Sequence, residues 1–192
     1  MGKIVISENV SLDGVIQDPV GAGGFRFAGW FDRLDGKDRE AWAGVEFEEA
    51  LGTEALLLGR RTYEWFVAKG WATRGGDWAD RLRAVPKYVV SSTPGDLEWN
   101  STVLKGDLVD EVSRLKQEVA GDIVLYGSGQ VAHALIEHDL FDELRLMVCP
   151  FALGEGERLF GRTSALKQVG LVESRTVGAG IVRLTYGPVR DA

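Results

Sequence analysis

Short apolar runs that stop at glycine or at a hydroxyl cluster recur along the chain, and most are followed by a segment of helical period. Residues 3–7 alternate as a first strand. Residues 36–51 read as a helix, with Trp42, Val45 and Phe47 only loosely periodic. Residues 54–58 form an apolar strand that Gly59 interrupts, and residues 61–67 begin a helix with Thr62 and Glu64 in its early turns. Residues 87–91 are a strand. Leu108, Val112, Leu115 and Val119 then recur at helical spacing after Asp107, and Gly121 closes that helix. A strand over 123–126, a helix over 129–137 and a longer apolar strand over 143–149 complete the series.

Strands alternating with helices predict a largely parallel sheet covered on both faces. The end of the chain breaks the alternation: residues 167–176 and 180–186 read as two strands joined by Val177-Gly178-Ala179, a hairpin that makes the last strands antiparallel. The Gly-rich stretch QDPVGAGGFRFAGWF, residues 17–31, is long for a connection, which suits a lid or binding loop as well as a flexible insertion.

A length of 192 residues predicts one domain spanning 1–192. Hydrophobic residues make up 45% and charged residues 27%, the proportions of a soluble globular chain, and no apolar run approaches the ~18 residues of a membrane span. With 22 Lys and Arg against 29 Asp and Glu, the net field repels a nucleic-acid backbone, so neither nucleic acid nor membrane is expected as a partner. The N-terminal residues carry no targeting pattern, and a cytoplasmic location is expected. The single cysteine, Cys149, lies in an apolar run and reads as a buried, inert thiol. His133 and His138 are not spaced for one helix face, so no metal is expected.

Three places carry candidate chemistry. Gly127-Ser128-Gly129-Gln130-Val131-Ala132 fits G-x-G-x-x-A between a strand and a helix, where backbone amides favour a pyrophosphate. A Rossmann site would also need an acidic residue about 20 positions on and further strand-helix units, both lacking here; a glycine turn for close packing is the plain alternative. Gly59-Arg60-Arg61-Thr62 repeats the strand-glycine-helix arrangement with two guanidinium groups and a hydroxyl, suited to phosphate unless both arginines pair with nearby carboxylates. Ser91-Ser92-Thr93 ends a strand where open α/β sheets bind ligands, although hydroxyls there also make ordinary turns.

With Ser11-Leu12-Asp13-Gly14 after the first strand, these motifs make the chain resemble the dihydrofolate reductase superfamily, and within it the reductase domain of the bifunctional deaminase-reductase of riboflavin biosynthesis. The segments SLDG, LLLGRRTYEWF, YVVSST and DIVLYGSGQVAHALIEHDLFDELRLMVCPFALGEGERLF follow in order over nearly the whole chain. The resemblance implies a dihydrofolate reductase-like three-layer α/β fold: a mixed, mostly parallel eight-stranded sheet, helices on both faces and a C-terminal antiparallel hairpin. It implies an NADPH-dependent oxidoreductase reducing a small heterocyclic or sugar-derived C=N or C=O group, and a homodimer. By motif, Gly59, Arg60, Arg61 and Thr62 would meet the cofactor phosphates, and Ser91, Ser92 and Thr93 the 2′-phosphate region. Gly127, Ser128, Gly129, Gln130 and Val131 would approach the pyrophosphate and nicotinamide.

On the substrate side the resemblance points to Asp13 and Gly14, with Asp13 orienting substrate or donating a proton, and to the turn Leu153, Gly154, Glu155. Both segments are also plain turn sequences, and the residues alone leave the two readings open. Folate-reducing enzymes carry an acidic residue on the first helix after a tryptophan-proline segment. Glu46, Glu48 and Glu49 fall in that region, but the segment is missing, which disfavours folate. A dihydrofolate or pterin reductase, or a module that binds NADPH without catalysis, remains as an alternative. The phosphorylated riboflavin intermediate would need more cations than Lys3, Arg26 and Arg158 offer near Asp13.

Overall fold

The computed structural model describes residues 1–21, 23–93, 97–161 and 163–189; Ala22, within the Gly-rich loop, lies outside them. Six strands form the parallel part of one sheet: β1 (Lys3–Ser11), β2 (Thr53–Gly59), β3 (Lys87–Val90), β4 (Ser101–Leu104), β5 (Asp122–Tyr126) and β6 (Glu143–Cys149). Two more, β7 (Val169–Val177) and β8 (Ile181–Pro188), complete it in the order β4-β3-β2-β5-β1-β6-β8-β7. Only β8 runs against its neighbours, so the sheet is mixed and mostly parallel with an antiparallel C-terminal edge.

Alternation along the strands sends successive side chains to opposite faces, which gives the sheet two cores. Ile4, Ile6, Ala55, Leu57, Ile123 and Leu125 pack under α4 (Leu108–Glu118) and α5 (Gly129–Glu137). Val5, Leu56, Leu58, Val89 and Val124 face the other way, onto residues of α1 (Gly36–Gly52), α2 (Arg60–Ala68) and α3 (Asp77–Ala84). The architecture is therefore three-layered. A third cluster joins Trp30, Phe31 and Leu34 to Met147 and Cys149. Cys149 is fully buried, and desolvation pushes its thiol up to about 12.

The structure departs from the sequence pattern where an element is short or polar. Helix α3 buries only Ala79 and Leu82, and β4 is a four-residue edge strand; neither is long enough to establish a period. Strand β3 stops at Val90, leaving Ser91 beyond it. Strand β7 starts at Val169 rather than 167 and retains Val177, which pairs with Ile181. Strand β1 extends four residues past Ser7, because Glu8, Asn9 and Ser11 keep their register against Leu146, Met147 and Cys149 of β6 despite being polar.

A buried ion cluster ties the layers together beneath α1. Arg145 on β6 meets Glu143 (2.7 Å), Asp122 on β5 (2.9 Å) and Glu49 on α1 (3.0 Å), and Arg183 on β8 reaches the same Glu49 at 3.5 Å. No helix among the described residues is long and apolar enough to cross a membrane.

Candidate active site

Strands β2 and β5 are neighbours, so their exits lie side by side at one edge of the sheet. Gly59 leads from β2 into α2, and Gly127-Ser128 leads from β5 into α5. The two turns are joined directly: the Gly59 amide donates to Ser128 Oγ at 2.7 Å, and Ser128 Oγ donates to Thr62 Oγ1 at 2.9 Å. The approach is close enough that a Cβ on Gly59 would lie 3.3 Å from the Ser128 side chain. Gly127 and Ser128 both adopt positive φ, 55° and 66°, a conformation glycine adopts without penalty and serine does not.

Helices α2 and α5 begin without a side-chain cap, whereas α1 and α4 begin on Asp35 and Asp107, whose carboxylates accept first-turn amides. Uncapped first turns leave amide donors for an exogenous anion, and the helix dipole adds to the attraction. The chemistry beside them matches. Arg61 is exposed and has no ion-pair partner among the described residues. Arg60 pairs its Nε with Glu64 at 2.6 Å but leaves Nη1 buried without a partner. Ser91 Oγ accepts from the Thr93 amide at 3.1 Å, which folds the hydroxyl segment back on itself.

These features open into one cleft of about 1040 Å³. Gly59, Arg60, Arg61, Thr62, Ser91, Ser92, Thr93, Gly127, Ser128, Gly129, Gln130 and Val131 all line it, so segments far apart in sequence converge on a single surface. The glycine cradle, the uncapped helices, Arg61 and the orphaned Arg60 nitrogen together fit a ligand with several phosphates.

The expected substrate residues are placed differently. Asp13 accepts from Ser11 Oγ (2.7 Å) and from the amides of Leu153 (3.1 Å) and Gly154 (2.7 Å), while Arg158 Nε donates to the Asp13 carbonyl at 2.9 Å. Gly14, at φ 82°, accepts the Leu159 amide through its carbonyl. Asp13, Gly14, Leu153, Gly154 and the exposed Glu155 thus form one zipped pair of turns, and none of them lines the cleft. The Ser11 hydroxyl first, then the Leu153 amide, hold the Asp13 carboxyl down to about 2. These hydrogen bonds make Asp13 an anchor for the 153–154 turn. The same two loops reach the cleft a few residues further on, through Ile16, Gln17 and Asp18 on one side and Glu157 on the other.

Of two further cleft residues, Glu8 went unrecognised in the sequence and Glu46 was noted only among the α1 carboxylates. Glu8 on β1 is 6% exposed, and its Oε1 has no hydrogen-bond partner. Burial first, then the Glu157 charge, pushes its carboxyl up to about 8. Glu46 on α1 is also buried and is raised by desolvation and by Glu49. The signal for Glu8 was its place in the series Ile4, Ile6, Glu8, Val10, a carboxyl at a core position of period 2. Of the other α1 carboxylates, Glu48 meets Arg175 and Glu49 belongs to the Arg145 cluster. Trp42, Trp65, Trp78 and Phe31 supply aromatic walls.

The fold is that of an α/β protein of the dihydrofolate reductase-like type, with the cleft at the strand ends. The chain belongs to the RibD C-terminal domain family, whose model matches residues 2–183, a family of riboflavin-pathway reductase type. It is 33% identical over 100 residues to the uncharacterized protein YyaP of Bacillus subtilis, an alignment covering 52% of this chain and 53% of that protein, so the match spans about half of either. Among solved structures, a putative riboflavin biosynthesis protein from Shewanella superposes with a TM-score of 0.71 at 21% identity, over 98% of this chain and 99% of the other. The deaminase and 5-amino-6-(5-phosphoribosylamino)uracil reductase of Thermotoga maritima gives 0.64 at 14%, over 98% of this chain and 57% of that one. Dihydrofolate reductase from Enterococcus faecalis, complexed with NADP(H), gives 0.59 at 17%, over 97% and 96%.

Proposed function

We infer that the protein is an NADPH-dependent reductase that transfers a hydride to a small heterocyclic or sugar-derived C=N or C=O group. The observation that carries this reading is the pair of uncapped helix N-termini, α2 and α5, locked side by side by the Gly59–Ser128 hydrogen bond and flanked by Arg61, which has no ion-pair partner among the described residues. The first turn of α5, with Gly129 and Gln130, would hold the pyrophosphate. Arg61 and the hydroxyls of Ser91, Ser92 and Thr93 would take a 2′-phosphate, which favours NADPH over NADH. When bound, the reduced nicotinamide supplies the hydride. The aromatic walls and the buried floor exclude water, and burial raises the carboxyls of both Glu8 and Glu46 in the cleft, Glu8 to about 8.

The likeness to the Enterococcus enzyme, complexed with NADP(H), supports the cofactor by analogy of fold. A homodimer is part of the reading, supported by the exposed apolar side chains Leu171, Val172, Val182 and Val189 on and beside the C-terminal strands. The direct test is titration with NADPH and NADH, following quenching of the cleft tryptophans, in wild type, Arg61→Ala and Ser92→Ala. NADPH is expected to bind at least about tenfold more tightly than NADH, with the preference lost in Arg61→Ala. Equal affinities unchanged by either substitution, or no binding, would overturn the assignment.

A further inference from the structure

Glu157, on the loop after β6, lines the cleft and brings a negative charge to the turn where the pyrophosphate is placed. Its Oε1 lies 3.5 Å from the position that a Cβ on Gly129 would take, over the first turn of α5, a helix without a side-chain cap. The backbone of Glu157 is pinned from both sides. Its amide donates to Gln17 Oε1 at 2.9 Å, and its carbonyl accepts the Ile16 amide at 2.9 Å, so a response to an arriving ligand falls to the side chain.

His133 stands one turn along the same face of α5, four residues after Gly129. Its Nε2 lies 2.8 Å from the Arg158 carbonyl, which leaves Nδ1 facing Glu157 Oε1 at 3.7 Å. The carboxylate is therefore set between Gly129, at the anion-binding end of the helix, and His133 behind it. Glu8 on β1 also faces it, and the Glu157 charge helps to raise the Glu8 carboxyl. With 48% of its side chain exposed, Glu157 can turn toward His133 without losing its water.

We propose that Glu157 sets the protein's affinity for the dinucleotide: its carboxylate opposes the pyrophosphate at the first turn of α5, and the cofactor binds by driving it back toward His133. This rests on the reductase reading, which puts the pyrophosphate at Gly129 and Gln130. Like charges a few ångströms apart repel even in a wet site, and salt weakens the repulsion because the carboxylate is exposed. The opposition falls on the pyrophosphate, which NADPH and NADH share, and not on the 2′-phosphate, which lies with Arg61 and the hydroxyls beyond β3. Glu157 thus loosens both cofactors by one factor and leaves the choice between them to Arg61. A reductase must release its cofactor oxidised after every hydride transfer, and release of product is a common limit on turnover, so a carboxylate that weakens binding at this turn shortens the cycle.

The test titrates NADPH, NADH and inorganic pyrophosphate into the full chain, as wild type and as Glu157→Gln, by calorimetry at low and at high ionic strength. At about 0.01 M salt the variant should bind each probe about three- to tenfold more tightly than wild type. At about 1 M, where screening acts within roughly 3 Å, the gain should shrink below about twofold, a salt dependence that a purely structural role for Glu157 would not produce. The ratio of NADPH to NADH affinity should stay within about twofold of wild type, and stopped-flow displacement should show NADPH leaving the variant more slowly. Equal or weaker binding in Glu157→Gln, or a gain that salt leaves untouched, overturns the proposal, and with NADPH bound by wild type it leaves the reductase reading standing. Pyrophosphate held more tightly by Glu157→Gln in a protein that binds neither dinucleotide keeps the role of the carboxylate and removes the reductase reading instead. Binding of no probe by either protein overturns both.

Discussion

Ser128 Oγ accepts the Gly59 amide across 2.7 Å, joining residues 69 positions apart and setting two helix N-termini against one cleft. The same hydroxyl donates to Thr62, so one side chain fixes both turns. Ser128→Ala should lower stability by about 1 kcal/mol and NADPH affinity by about tenfold, read from urea unfolding and fluorescence titration. Ser128→Gly relieves the positive φ but loses the same hydrogen bonds, so it should recover stability relative to alanine without recovering affinity. Equal affinity in all three proteins would show that the cross-link does not shape the site.

Asp13→Ala should cost about 0.5–2 kcal/mol at pH 7, the range for losing a carboxylate that caps backbone amides. The folded carboxyl lies below its ordinary value, so its stabilisation is complete above about pH 4 and disappears as pH falls through about 2. Unfolding midpoints of wild type and variant should therefore differ at pH 7 and converge near pH 2. A variant that retains its stability and loses all turnover would instead return Asp13 to a chemical role.

For Glu8 the sign is opposite. Its folded value near 8 exceeds the ordinary 4.5, so the unfolded chain ionises first and wild-type stability falls as pH rises from about 4.5 to 8. Glu8→Gln removes that dependence. It should match wild type near pH 4.5 and exceed it by about 2–4 kcal/mol at pH 8, measured by urea unfolding across the interval.

Lys87 is completely buried, donating to the Val85 carbonyl at 2.8 Å and lying 4.3 Å from the Trp99 ring. Desolvation, with Arg83 nearby, lowers its amine to about 8. Between pH 8 and 10.5 the unfolded chain binds the extra proton, so this group makes stability rise with pH. The Cys149 thiol, raised by burial, opposes it above pH 9, and the comparison must therefore be with a variant. The advantage of wild type over Lys87→Met should grow by up to about 3 kcal/mol across that interval; a constant difference would mean that the folded amine keeps its ordinary value and stays charged as the unfolded one does.

Leu171 and Val172 are exposed at 58% and 70% on the edge strand β7. If this edge joins two copies, Val172→Glu should shift the protein to monomer in light scattering without lowering its melting temperature as a monomer. A wild type that is already monomeric would end the homodimer reading.

How far the sequence could be read depended on which signals were local. The two strand-glycine-helix turns and the hydroxyls after β3 stood out because each is contiguous, and the cleft does gather them. Glu8 did not stand out, because it sits in a stretch whose polar residues made β1 look finished at Ser7. Its burial comes from β6, some 140 residues later, which no local pattern contains. Glu46 was noticed among α1 carboxylates, but its neighbours Glu48 and Glu49 differ from it only in which way the helix turns them. Asp13 stood out in the sequence, but its surroundings did not: they are contributed by Leu153 and Gly154, whose amides it holds from 140 residues away.

The Arg145 cluster links the first helix to the last strand. Glu49 is held by Arg145 and by Arg183, the latter on the final strand, and Glu46, one turn away on the same helix, feels the same two cations. A chain that ended before β8 would leave Glu49 to Arg145 alone and would take from Glu46 one of the two cations it feels. The α1 wall of the cleft thus depends for its charge balance on a strand from the far end of the chain.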